Sequence, residues 1–208
     1  MAVPPSPWHL LPSTPAERAP VEWVVVGLGN PGPQYAASRH NAGFWVVDEL
    51  ASRAAVTLAR DRHGACSAVA RLVGRALVLA EPQAYMNLSG GPVQSLLHFY
   101  QCTVDHLIVV HDDMDLPLGQ LRVKRGGGHG GHNGLRDLHQ RLASGDYLRV
   151  RVGIGRPAGG RDAVAHVLGR ISKAEGELLG AVVGRAADAV EAILSDGVEA
   201  AMGRFNGG

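Results

Sequence analysis

The chain has 208 residues, of which 46% are hydrophobic, 19% charged and only 5% aromatic, and its formal charge is +1. That length favours one domain with a full core, built here mainly from Val, Leu and Ala, and no apolar run reaches the roughly 18 residues that span a bilayer. Cys66 and Cys102 form no CxxC pair, which argues against a disulfide scaffold or a structural zinc site.

Residues 1–20 are Pro-rich and lack the basic and apolar regions of a secretory signal. They read as a flexible extension ahead of a domain spanning residues 21–208, with the cytoplasm as default compartment. Val21–Gly27 is β-rich and ends in a Gly/Asn/Pro turn. A helix over Asn41–Ala55 follows, its Phe44, Val47, Leu50 and Ala51 falling on one face. Strands are expected at Ala65–Leu72 and Ala76–Ala80, joined by a Gly74-Arg75 turn. Pro92–Tyr100 reads as helix, Leu107–Val110 as a buried strand and Leu121–Lys124 as another. A glycine-rich loop, Gly126–Gly131, opens a helix over Asn133–Leu142. Tyr147–Ile154 alternates arginine and valine, as a strand with one wet face does. From Lys173 to Arg204 the chain is helical, with a break near Ser195-Asp-Gly197. This pattern predicts a single α/β domain: a central twisted mixed β-sheet flanked by helices on both faces.

The near-zero net charge hides an asymmetry. Residues 116–170 carry ten Lys/Arg against three Asp/Glu, whereas residues 21–115 carry six against nine. A basic middle segment between acidic flanks suggests a surface for a polyanion, and a solvated scatter of arginines is the plainer alternative.

The run GLGNPGPQYAASRHNAG at residues 27–43 holds the chemistry most densely. Its GLGNPG matches GxGxxG, but Pro31 and Pro33 obstruct the helix a dinucleotide site needs there, and no acidic residue ends a second strand about 20 residues on. His40, at a helix N-terminus, suits a base, because the positive end of the dipole favours neutral imidazole. In HDDMD, residues 111–115, carboxylates follow an apolar strand, where sites gather in open α/β sheets. One of them can orient the imidazole and stabilise its protonated form. Alternatively, His111, Asp112, Asp113 and Asp115 are of metal-ligand type, although no fixed metal spacing is present. AYMNLSGG adds Asn87 and Met86, and Ser89 lacks the GxSxG elbow of a nucleophile. KRGGGHGGHNG places six glycines in nine residues before a helix, a cradle for a phosphate without the P-loop signature. Around it lie Arg122, Lys124, Arg125, Arg136, Arg149 and Arg151.

Four stretches, GLGNPGPQYAASRHNAG, AYMNLSGGPV, HDDMDLPLGQLRVKRGGGHGGHNGL and LRVRVGIGRP, resemble in content and order the bacterial-type peptidyl-tRNA hydrolase family, from about Val21 to Asn206. The resemblance implies a cytoplasmic monomer that hydrolyses the ester between a peptide and the terminal ribose of tRNA and so recycles tRNA. It implies no metal or organic cofactor, no membrane and no obligate protein partner. By motif, His40 resembles the general base, Asp112 its orienting carboxylate, and Asn30 and Asn87 the candidate oxyanion donors. Tyr35, Tyr85, Met86, Asn87, His132 and Asn133 resemble substrate contacts. Lys124, Arg125 and Arg149 map onto the basic rim that meets tRNA phosphates. Residues 1–20 precede the family's usual start. Ala158–Arg161 lacks a lysine some relatives carry, with Arg161 the expected substitute.

Overall fold

A computed structural model describes residues 20–157, 159 and 162–207. The N-terminal extension, apart from Pro20, and Arg161 lie outside the described residues. Seven strands form one mixed sheet: β1 (Trp23–Gly27), β2 (Ala59–Arg60), β3 (Ala65–Leu72), β4 (Arg75–Pro82), β5 (Leu107–Asp113), β6 (Leu121–Arg125) and β7 (Leu148–Gly153). Their lateral order is β2-β3-β4-β1-β5-β7-β6. The central four, β4, β1, β5 and β7, run parallel, and β2, β3 and β6 add antiparallel edges.

The helices are α1 (Ala42–Arg53), α2 (Gly90–Tyr100), α3 (Asn133–Leu142), α4 (Ala163–Leu168), α5 (Lys173–Asp196) and α6 (Val198–Phe205). Strand alternation divides the interior into two cores. Val25, Leu79, Ile108 and Val110 face α1 and α5, while Val24, Val26, Val78 and Val109 face α2 and α3. With both faces covered, the central strands tolerate continuous apolar runs such as Val24-Val25-Val26. Among the described residues no helix is long and apolar enough to cross a membrane.

Differences from the expected elements have local causes. The β3–β4 turn falls on Val73 and Gly74, whose φ values of 42° and 82° suit a tight hairpin, so β4 begins at Arg75. Strand β5 runs through His111, Asp112 and Asp113, because pairing with Arg151, Val152 and Gly153 of β7 carries the polar residues along. The acidic cluster therefore begins inside the strand. β2 and α4, two and six residues long, carry too short a pattern to announce themselves.

One close approach sets the geometry of the site. β1 and the start of α1 meet glycine to glycine. A Cβ on Gly27 would lie 2.1 Å from the Gly43 carbonyl oxygen, and one on Gly43 would lie 2.3 Å from Leu28 N and 2.5 Å from Val110 O. All these obstacles are backbone, so neither position has room for a side chain. Gly43→Ala should therefore destabilise the fold by at least about 3 kcal/mol, the upper range for overpacking. Gly180→Ala, on an open face of α5, should be neutral or gain up to about 1 kcal/mol. Denaturant melts of the two variants check the contrast, and a tolerated Gly43→Ala would contradict it.

Candidate active site

Past Gly27 the chain crosses the end of β5, with Leu28 N–H donating to Val110 O at 2.9 Å. The Asn-Pro-Gly turn is then held by Asn41. Its Oδ1 accepts the Asn30 N–H at 2.9 Å and its Nδ2 donates to Asn30 O at 3.0 Å. Asn30 in turn uses its Oδ1 to accept the Met86 N–H at 2.7 Å, tying the loop before α2 to the same turn. His40 sits between, in a 3₁₀ turn (Arg39–Asn41) that leads directly into α1.

Asp112, on β5, points to the α1 side of the sheet with Val110, and it is 3% exposed. A single oxygen, Oδ1, receives two imidazoles: His40 Nδ1 at 2.8 Å and His132 Nε2 at 3.0 Å. Burial alone would raise the carboxyl's pKa. The facing charges and hydrogen bonds of His40 and His132 outweigh it and hold Asp112 well below the usual carboxylate range. An ionised carboxylate only accepts, so both nitrogens carry the proton. For His132 the assignment has a second support. Its Nδ1 caps α3, accepting the N–H groups of Gly134 at 3.1 Å and Leu135 at 3.3 Å. For His40, a proton on Nδ1 leaves the Nε2 lone pair free.

His40, Asp112 and His132 line a cavity of about 500 Å³ together with Asn133, Lys124 and Arg149. Asn30, Tyr35, Tyr85, Met86 and Asn87 are not in its wall and form an adjoining cluster. Tyr35 and Tyr85 meet edge to face, with centroids 6.5 Å apart. Met86 is buried against Gly134 at the start of α3, while Tyr85 and Asn87 are exposed.

The basic residues separate into two kinds. Arg125 pairs with Asp105 and Asp146, Arg151 with Asp113, and Arg156 with Asp115. Lys124 and Arg136 are exposed and form no ion pair with the described residues. Arg149 departs from its expected place on the rim, because it is 3% exposed. Its guanidinium donates to the carbonyls of Gly127, Gly128 and Gly145 and to His139 Nε2. These contacts strap the glycine loop from within, while the buried Nε has no partner among the described residues.

The metal alternative does not assemble as the sequence suggested. Asp113 and Asp115 are taken by arginines, and His111 spends Nδ1 on the Asp112 carbonyl at 2.7 Å. His40, Asp112 and His132 do bring ligand-type atoms within 4.8 Å of one another. A cation on His132 Nε2, however, would force the ring proton onto Nδ1, against two helix N–H donors. The cap suits His132 to hydrogen bonding rather than ligation. Asn41, an amide beside His40, and His111, in the HDDMD run, are both visible in the sequence, but their contacts here, with the Asn30 backbone and the Asp112 carbonyl, are not.

The sequence matches the family model described as Peptidyl-tRNA hydrolase over residues 24–208. It is 53% identical over 186 residues to the peptidyl-tRNA hydrolase of Leifsonia xyli subsp. xyli, covering 88% of this chain and 96% of that one. It is 51% identical over 193 residues to that of Frankia casuarinae, covering 93% and 97%. The crystal structure of peptidyl-tRNA hydrolase from Acinetobacter baumannii superposes with a TM-score of 0.85 at 37% identity, over 91% of this chain and 98% of that one.

Burial, and after it the neighbouring His132, pushes His111 down to about 3 from the ordinary 6.5. The unfolded chain therefore takes this proton first on acidification. The stability His111 contributes is complete above about pH 6.5 and is lost as pH falls toward 3, by at most about 1.4 kcal/mol per unit. His111→Asn keeps a donor to the Asp112 carbonyl without titrating, so its unfolding free energy should fall less steeply than wild type between pH 6.5 and 4. Parallel curves would show that His111 is not held neutral.

Proposed function

The chain belongs to the peptidyl-tRNA hydrolase family, which cleaves peptidyl-tRNA into peptide and tRNA, and we propose that His40 is the general base of that reaction in this protein. The observation that carries the proposal is the His40 Nδ1–Asp112 Oδ1 hydrogen bond of 2.8 Å at the wall of a basic cavity. With Nδ1 donating, Nε2 accepts a proton from a water. The resulting hydroxide adds to the ester carbonyl carbon, and Asp112 stabilises the imidazolium formed beside it. Collapse of the tetrahedral intermediate breaks the bond to the ribose oxygen, which takes the proton back from His40 as it leaves.

For the developing oxyanion, Asn30 is favoured over Asn87. Its carbonyl end is engaged by the Met86 N–H at 2.7 Å, which leaves the Nδ2 end as a pre-oriented donor. Asn87 is exposed and unpinned. Tyr35, Tyr85 and Met86 supply apolar surface for the acylated end, and Asn133 lines the cavity together with the base.

Affinity for the tRNA comes from phosphate contact rather than base reading, as an enzyme serving many tRNAs requires. Lys124 is the side chain best placed for it, being exposed, beside the cavity and without a counter-ion among the described residues. Arg125 reaches phosphate only by giving up Asp105 and Asp146. The protein acts in this reading as a cytoplasmic monomer, without a metal, an organic cofactor or an obligate protein partner.

His40→Ala should lower hydrolysis of an N-acylated aminoacyl-tRNA by about 10²–10⁴-fold while tRNA binding, read by filter retention, persists. Turnover near the wild-type rate would remove His40 from the role of base. EDTA should leave wild-type turnover unchanged, whereas its loss on chelation and return with a divalent ion would favour metal-assisted attack. Lys124→Ala should weaken binding and reduce the slope of log Kd against log salt by about 1. An unchanged slope would move the phosphate contact elsewhere.

A further inference from the structure

We infer that His132 is a positioning residue that aims Asp112 at His40 through the N-terminus of α3, rather than a contact for substrate. Its ring is used at both ends. Nδ1 accepts the Gly134 and Leu135 N–H groups, at 3.1 and 3.3 Å, and Nε2 donates to Asp112 Oδ1 at 3.0 Å. Only 8% of its side chain is exposed. Two N–H donors converging on one oxygen fix the rotation of the carboxylate and share its charge.

The helix enforces this arrangement. Were Nδ1 protonated, it would meet two backbone donors head-on, so the cap selects the tautomer that serves Asp112. The approach to the cap is also held, because Arg149 binds the carbonyls of Gly127 and Gly128, five and four residues before His132. At its other side α3 is anchored by Asp137, whose Oδ2 accepts the Gly90 N–H at 2.7 Å. A continuous run of contacts thus leads from β7 through the glycine loop to the base.

The inference rests on the reading of His40 as the base, and two substitutions separate the functions of the ring. In His132→Asn, the amide oxygen replaces Nδ1 at the cap, but the side chain stops short of Asp112. In His132→Gln, the amide nitrogen reaches toward Asp112, but the cap acceptor is lost. Asp112 is faced by His40 from the 3₁₀ turn, by His132 from α3, and on β5 by His111 and Asp113, the last paired with Arg151 of β7. Removing the His132 donor leaves more of the carboxylate's charge to His40. His132→Asn should therefore keep its KM, while kcat falls on the order of tenfold, the scale of a lost charge-assisted hydrogen bond. The acid limb of its kcat/KM profile should move to higher pH. His132→Gln should retain most of kcat and melt at a lower temperature. A raised KM with unchanged kcat in His132→Asn would make the residue a substrate contact and overturn the inference. So would a wild-type rate and pH profile in that variant, or equal loss of kcat in both. An active His40→Ala protein would instead sink the assignment of the base, which keeps the two failures distinct.

Discussion

A carboxylate buried in a protein interior must be compensated, and in this chain one oxygen of Asp112 takes both of its compensating imidazoles, His40 and His132. Much of the architecture around the cavity serves that convergence. Strand β5 has to extend to Asp113 so that the carboxylate rises near the C-terminal end of this central strand on the side of α1. β1 and α1 have to meet through Gly27 and Gly43 for His40 to arrive from the other direction. The glycine loop and α3 bring His132, with Nδ1 already occupied by the helix. Removing any one of these three supports leaves a buried charge short of a partner, which costs far more than the hydrogen bond itself is worth.

The charge distribution has a similar logic. The positive excess over residues 116–170 does not stand as free arginines around the cavity. Three of them are answered by Asp105, Asp113 and Asp115, acidic residues from just upstream. A fourth, Arg149, has become part of the interior. Among the described residues of this segment, Lys124 and Arg136 are exposed without an ion pair, and in the proposed function Lys124 meets phosphate. The paired arginines hold the rim in shape. Surface pairs of this kind contribute little stability, at most about 1 kcal/mol each, so their value lies in position.

The sequence disclosed the alternation of strands and helices, the placement of α3 and the break at Gly197, because periodicity and glycine are local signals. His40 and Asp112 were legible as a pair only through their motifs, since 72 positions separate them. What escaped depends on contacts that no local pattern encodes. The arginine–valine alternation over residues 148–152 reads as a strand with a wet face. A loop from elsewhere in the chain covers Arg149 and makes that position dry. GLGNPG reads as a rigid turn rather than a dinucleotide loop, but nothing local shows that Gly27 is required by the backbone of α1 lying against it. Asn41 is visible as an amide beside His40, but its double hold on the Asn30 backbone is a contact across eleven positions. His132 offered itself as a substrate contact, and only the helix it caps reveals how its ring is committed.

The proposed base requires one arrangement of protons, with His40 protonated on Nδ1 and open to water at Nε2, and His132 protonated on Nε2. Long-range ¹H–¹⁵N correlation spectra of ¹⁵N-histidine-labelled protein near neutral pH, assigned with single-histidine variants, read these tautomers directly. An Nδ1–H pattern for His40 and an Nε2–H pattern for His132 are expected in the same spectrum. An Nε2–H tautomer at His40 would leave no lone pair for the attacking water and would overturn its role as base.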